Sequence, residues 1–292
     1  MDLRQDYSAK RDVQSDSLLH PDLGRATGEL PERYRRNAPI PHIRITKFLN
    51  PAVALAAAAE FPQPDTRFWI HYKHYNEDKV GLTKKELFPP LLRQLTDELN
   101  SPRFVSWLSE LTGIYGLMPD PSLHGGGLHQ SGRGGFLNLH TDFSTHYYHK
   151  NWRRRVTLIL YLNPDWKSDW GGALEFWDRK SRVGVAKYPP QLNHAVIFNT
   201  DSNALHGFPD RLSCPKNVCR KSIAFYYYTP DQNSRPVVCP TDYQARPGDS
   251  LRKRAFIWLD KTAVALYSRG KGKFGFSDDL VSRILRGASR RN

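Results

Sequence analysis

Cysteine is scarce in this 292-residue chain: there are three, Cys214, Cys219 and Cys239. An odd number without C-x-x-C spacing indicates neither a disulfide framework nor a zinc knuckle. Long apolar runs are also missing. The alanine-rich stretch 52–59 is far too short to span a bilayer, and the charged start Met1-Asp2-Leu3-Arg4-Gln5-Asp6 has no signal-peptide core. These absences predict a soluble, cytoplasmic protein. The glycine clusters Gly125-Gly126-Gly127 and Gly132-Arg133-Gly134-Gly135 match neither a dinucleotide fingerprint nor a phosphate-binding loop, which leaves hairpin turns as their reading. Nothing resembles a helix-turn-helix or an RNA-binding aromatic motif, and there is no internal repeat.

Positive charge, in contrast, is abundant. The formal net charge of +14 favours acidic partners such as phosphates, nucleic acids, anionic glycans or membrane surfaces, with solubility as the simpler account. Residues 1–37 are polar and without periodicity, as expected of a loosely ordered lead-in. The alternating stretch 40–46 reads as an opening strand. Asn50-Pro51 and Ser101-Pro102 are helix starts, each a capping residue followed by proline, and a further helix is expected after Pro89-Pro90. From about residue 123 short strands follow at regular spacing: 136–142, 156–162, 173–177, 195–199 and 222–228. Strands without intervening amphipathic helices predict an antiparallel sandwich or barrel of jelly-roll type. After Pro240, residues 251–268 and 278–285 read as helices joined by a basic linker, 269–273.

The run Phe136-Leu137-Asn138-Leu139-His140-Thr141-Asp142 carries the chemistry. Strand alternation places Phe136, Asn138, His140 and Asp142 on one face, with Leu137 and Leu139 facing a core. An imidazole and a carboxylate then meet at one strand end. A second histidine would complete a two-His-one-carboxylate triad, which leaves three positions of an octahedral Fe(II) open. His206, just beyond the strand 195–199, is the candidate. Arg220 opens the run Arg220-Lys221-Ser222-Ile223-Ala224, where alternation sets Lys221 on the opposite face. A cation buried at a strand base needs an anion, and the distal carboxylate of a 2-oxo diacid suits the arginine fork.

With these residues in this order, 136–228 resembles the prolyl-4-hydroxylase-like branch of the Fe(II)/2-oxoglutarate-dependent dioxygenases. The likeness rests on His140 and Asp142, the stretch Arg154-Arg155-Val156-Thr157-Leu158-Ile159-Leu160-Tyr161-Leu162-Asn163, the turn Gly171-Gly172-Ala173-Leu174, His206 and Arg220. One departure is the segment Cys214-Pro215-Lys216-Asn217-Val218-Cys219, which lengthens the interval between His206 and Arg220. The resemblance implies an α+β, mainly β fold: a double-stranded β-helix, jelly-roll or cupin-like, with N-terminal bracing helices and a small helical C-terminal extension. Its boundaries are a lead-in at 1–37, the dioxygenase domain at 38–240 and a basic helical extension at 241–292. It further implies Fe(II) on His140, Asp142 and His206, and 2-oxoglutarate held by Arg220 and Tyr161, with Asn138 beside it. O2 would be consumed, and ascorbate is a candidate reductant.

The implied reaction hydroxylates or otherwise oxidises a C–H bond while 2-oxoglutarate is decarboxylated to succinate and CO2. Asp142 disfavours halogenation, because halogenating relatives carry a small residue there. Phe143, His146, Trp177 and Asp201 are candidate substrate contacts; His146 and His149 belong to a loop expected to be solvated. The expected substrate is a small molecule or biosynthetic intermediate, polar or anionic. A protein or peptidyl prolyl hydroxylase is the competing enzyme reading. From another class comes a non-catalytic jelly-roll module for an anionic polymer, against which the intact triad argues.

Overall fold

The computed structural model describes residues 18–25, 28–64, 68–231 and 241–274, with side chains described as far as residue 263. Helices α1 (Asp22–Arg25) and α2 (Leu30–Arg36) lead into strand β1 (His42–Ile45), followed by α3 (Pro51–Ala59). The pair β2 (Ile70–His74) and β3 (Glu77–Leu82) precedes α4 (Pro90–Leu99) and α5 (Pro102–Thr112). Next come β4 (Met118–Pro119), β5 (Gly127–Ser131), β6 (Phe136–Thr141), β7 (Trp152–Tyr161), β8 (Leu174–Asp178) and β9 (Gly184–Tyr188). Strands β10 (His194–Asn199), β11 (Ala204–Phe208), β12 (Arg220–Pro230) and β13 (Asp242–Tyr243) follow, and α6 (Leu251–Phe274) ends the described chain.

The strand order is β1-β10-β7-β12-β5-β3-β6-β11-β8-β9, and every pairing is antiparallel. The expected double-stranded β-helix is therefore present. The core explains its two halves. Along β7 and β12, Leu158, Leu160, Ile223 and Phe225 face outward and pack with Leu92, Leu95, Phe104 and Leu108 of α4 and α5. Each such side chain contributes about 1.5–3 kcal/mol by leaving water. The alternate residues, among them Tyr161, turn inward against Leu174, Phe176 and Phe198 of the other half.

The helix starts read from sequence are present. Asn50 accepts from the N–H of Ala52, Ser101 accepts from that of Phe104, and α5 ends at Gly113 with φ of 71°.

Other details differ from the expectation. Residues 132–135 make a tight turn, Gly135 N–H to Gly132 C=O at 2.9 Å, but β5 and β6 do not form a hairpin, because β3 lies between them. Strand β3 escaped notice because Glu77, Asp78 and Lys79 lack apolar alternation; its pairing on both sides makes it a strand. Helix α2 lies within the stretch read as a lead-in. It is anchored by one wholly buried residue, Tyr34, which donates to Asn199 at 2.6 Å, too sparse a signal for periodicity. Helix α6 runs through the stretch read as the linker 269–273, and residues 278–285 lie outside the described residues. No helix among the described residues is long and apolar enough to cross a membrane.

Candidate active site

Strands β6 and β11 pair so that His140 and His206 stand opposite each other, their ring centres 4.5 Å apart. The Nδ1 of His140 lies 3.0 Å from the Asn138 carbonyl oxygen, and that of His206 lies 2.8 Å from the Ala204 carbonyl oxygen. A carbonyl only accepts, so each ring carries its proton on Nδ1 and offers an Nε2 lone pair. Those nitrogens lie 3.5 and 3.7 Å from the two oxygens of Asp142, and one ligand atom from each residue falls within a 4.8 Å group. Burial lowers the pKa of His206 to about 4 against the pull of Asp142, so the ring is neutral at pH 7. Burial would raise the Asp142 carboxyl, but Arg154 and the two histidines hold it far below the usual carboxylate range.

The β6–β11 register slips between His206/His140 and Phe208/Leu137, which places an extra residue on β6. This bulge corrects the simple alternation. Leu137 joins His140 and Asp142 in lining the cavity, whereas the Asn138 amide turns away and donates to Asn76 Oδ1 at 3.1 Å. Asn138 therefore lies behind the metal-ligand strand, not beside the expected co-substrate position. Gly207 sits opposite the bulge, and a Cβ there would lie 2.7 Å from the Leu137 carbonyl oxygen.

Two charged cavity residues, Arg154 and Lys79, did not stand out in the sequence. Arg154, almost fully buried, donates from Nη2 to Asp142 Oδ2 at 2.7 Å and to Thr157 Oγ1 at 3.0 Å. Its guanidinium carbon lies 3.3 Å from the centre of the Tyr226 ring. Lys79 reaches the cavity from β3 while paired to Glu77 at 3.0 Å. Simple alternation sets Arg154 on the face opposite Thr157 and Tyr161, and the register shift between Tyr227/Val156 and Tyr228/Arg154 turns it inward, so parity could not reveal it; Lys79 lay in an unrecognised strand.

At the other end of the cavity Arg220 donates from Nε to the Gly172 carbonyl at 2.7 Å and from Nη2 to the Tyr161 hydroxyl at 3.1 Å. Among the described residues no carboxylate reaches it. Gly172, with φ of 74°, lets the turn pass over the arginine, since a Cβ would lie 3.0 Å from Arg220 Cδ and closer still to Leu212. Arg220, Ser222, Ala224 and Tyr226 line the cavity, and Lys221 faces away as alternation required.

The structure separates the four candidate substrate contacts. Phe143 is half-buried, with the guanidinium of Arg154 4.7 Å from its ring centre. His146 is buried, correcting the expectation of a solvated loop. Its Nε2 lies 3.3 Å from Asp120, and its ring packs against Trp152, His149 and Tyr228. Trp177 donates to Glu175 at 3.0 Å, and Asp201 accepts backbone N–H groups in the turn before β11. Neither lines the cavity.

Two imidazoles and one carboxylate fit a divalent iron with open positions, and a buried arginine without a carboxylate fits a dianionic co-substrate. The family description 2OG-Fe(II) oxygenase superfamily matches residues 126–228, which span His140, Asp142, His206 and Arg220. Prolyl 3-hydroxylase OGFOD1 of Mus musculus is 31% identical to this chain over 87 residues. That match covers 28% of this chain and 16% of the mouse protein. The fold is similar to that of a Trichoplax adhaerens prolyl hydroxylase in complex with a hypoxia inducible factor peptide fragment. The TM-score is 0.51 at 17% identity, over 71% of this chain and 90% of that one. A Pseudomonas putida prolyl-4-hydroxylase gives a TM-score of 0.49 at 17% identity, over 68% of this chain and 98% of that one.

Proposed function

We propose that the protein is an Fe(II)- and 2-oxoglutarate-dependent dioxygenase that hydroxylates, or otherwise oxidises, a C–H bond of a small-molecule or biosynthetic-intermediate substrate. The observation that carries this reading is the convergence of His140 Nε2, Asp142 and His206 Nε2 within 4.8 Å, with a carboxylate-free Arg220 in the same cavity. When bound, iron would activate O2 as the oxidant, with one oxygen atom passing to 2-oxoglutarate as it becomes succinate and CO2 and the other to the substrate C–H bond. His140, Asp142 and His206 hold the metal. Arg220 takes the distal carboxylate of the co-substrate, and Tyr161 orients that arginine through its hydroxyl. Leu137, Ile159, Leu174 and Phe208 line the cavity and keep it poor in water.

Lys79 and Arg154 add two cations to the cavity wall, which favours a polar or anionic substrate. The peptide reading rests on a different observation, the likeness to the mouse prolyl 3-hydroxylase. One assay separates them: succinate formation measured against metabolite and proline-peptide libraries in parallel. Stimulation by metabolites and not by peptides supports the small-molecule reading. The reverse result assigns a peptidyl prolyl hydroxylase, and no succinate at all removes the enzyme reading.

A further inference from the structure

The N-terminal half of α6 docks on the β2–β3 turn, far along the chain from the cavity residues. Ile257 is buried there, and the Phe256 ring stacks on Tyr75 with centres 5.2 Å apart. Asp260 makes the polar contacts. Its Oδ2 accepts from Asn76 Nδ2 at 2.6 Å and pairs with His74 Nδ1 at 2.6 Å.

Two chains of contacts run inward from this one carboxylate. Asn76, fully buried, has its amide orientation set mainly by Asp260, with a longer contact from Nδ2 to the Ile257 carbonyl at 3.3 Å, so its Oδ1 faces the Asn138 side chain, which donates at 3.1 Å. The Asn138 N–H also donates to the Asn76 carbonyl at 2.8 Å. Both contacts fix the bulged peptide whose carbonyl accepts from His140 Nδ1. On the other branch, His74 Nε2 lies 2.9 Å from Glu77 Oε1, and Glu77 Oε2 lies 3.0 Å from the Nζ of Lys79. The same carboxylate thereby braces one imidazole of the triad and one cation of the cavity wall.

We infer that Asp260 of the C-terminal helix is a positioning residue for the metal site, acting through Asn76 and Asn138 on His140 and through His74 and Glu77 on Lys79. A bulged strand is a pliable place for a metal ligand, because its ladder is interrupted there. A hydrogen-bonded support behind the imidazole restores its aim, and losing such a support weakens metal binding by about 10- to 100-fold.

The inference rests on the iron-site reading, and one titration distinguishes their failures. Ni(II) is titrated into the full chain with 2-oxoglutarate present and followed by calorimetry, for wild type and variants, with a thermal melt of each. Asp260→Ala is expected to bind Ni(II) at least about tenfold more weakly than wild type. Asp260→Asn, which keeps an acceptor oxygen for Asn76, is expected to recover most of that affinity. Phe256→Ala loosens the helix without cutting the chain, so it should lower the melting temperature and leave Ni(II) affinity within about threefold of wild type. Should Asp260→Ala not fold, Asn76→Ala carries the same expectation. Wild-type affinity in Asp260→Ala, or an equal loss in Phe256→Ala, overturns the inference. No Ni(II) uptake by wild type overturns the iron-site reading and this inference with it.

Discussion

Arg154 donates from Nη2 to Oδ2 of Asp142 at 2.7 Å, with the arginine buried and the aspartate side chain 10% exposed. The carboxylate that would serve iron is thus already charge-matched without it, leaving Oδ1 facing His140 Nε2. Removing one partner of a buried pair costs about 3–5 kcal/mol, because the other is left as an uncompensated charge. Asp142→Ala should therefore lower the urea midpoint of metal-free protein, measured in EDTA, as well as abolish metal uptake. An unchanged midpoint would show that Arg154 is satisfied some other way.

Arg220 lies at the far end of the cavity, and Lys221 beside it faces away. Losing hydrogen bonds to a charged group costs roughly 1.5–3 kcal/mol, about 10- to 150-fold in affinity. Arg220→Ala should weaken 2-oxoglutarate binding by that factor with Ni(II) affinity retained, and Lys221→Ala should change neither. Binding constants read the other way round would transfer the role to Lys221.

Gly207 faces the bulge of β6 at a place where neither neighbour can yield, since the atoms it would strike are backbone carbonyl oxygens. Gly207→Ala should cost about 1–3 kcal/mol of stability by overpacking and should also weaken metal binding, because it spreads the strands that carry His140 and His206. Urea unfolding with a parallel Ni(II) titration measures both. A variant destabilised to this degree with native metal affinity would mean that the bulge does not set the histidine positions.

These cases show what sequence could and could not reveal. His140, Asp142, His206 and Arg220 were legible because each is a rare chemistry at a strand position. Alternation also separated Arg220 from Lys221 correctly, since β12 is regular there. It misplaced Asn138, because a one-residue bulge reverses parity and leaves no mark in composition. Lys79 and Glu77 were missed because β3 is polar and becomes a strand only through long-range pairing, and His146 was misread because its burial depends on partners such as Asp120 and Tyr228.

His129 gives a pH prediction. Its half-buried ring lies in the cavity, where burial and the Lys79 ammonium lower its pKa to about 3. In the unfolded chain it titrates near 6.5. Between those values the unfolded state binds the extra proton, so the contribution of His129 is full above pH 6.5 and is lost as pH falls toward 3. The slope is at most about 1.4 kcal/mol per pH unit, reduced by solvent entering the cavity. His129→Gln should flatten the acid side of the stability profile of metal-free protein between pH 6.5 and 4. An unaltered slope would place the acid sensitivity elsewhere.

The central claim is that His140, Asp142 and His206 form one iron site that shares its cavity with 2-oxoglutarate. Adding Fe(II) and then 2-oxoglutarate to the protein under anaerobic conditions tests it most directly, by the weak visible absorption of the metal-bound keto acid. The account predicts that band in wild type and its loss in His140→Ala. A wild-type protein that shows no band, or a His140→Ala variant that keeps it, would contradict the account.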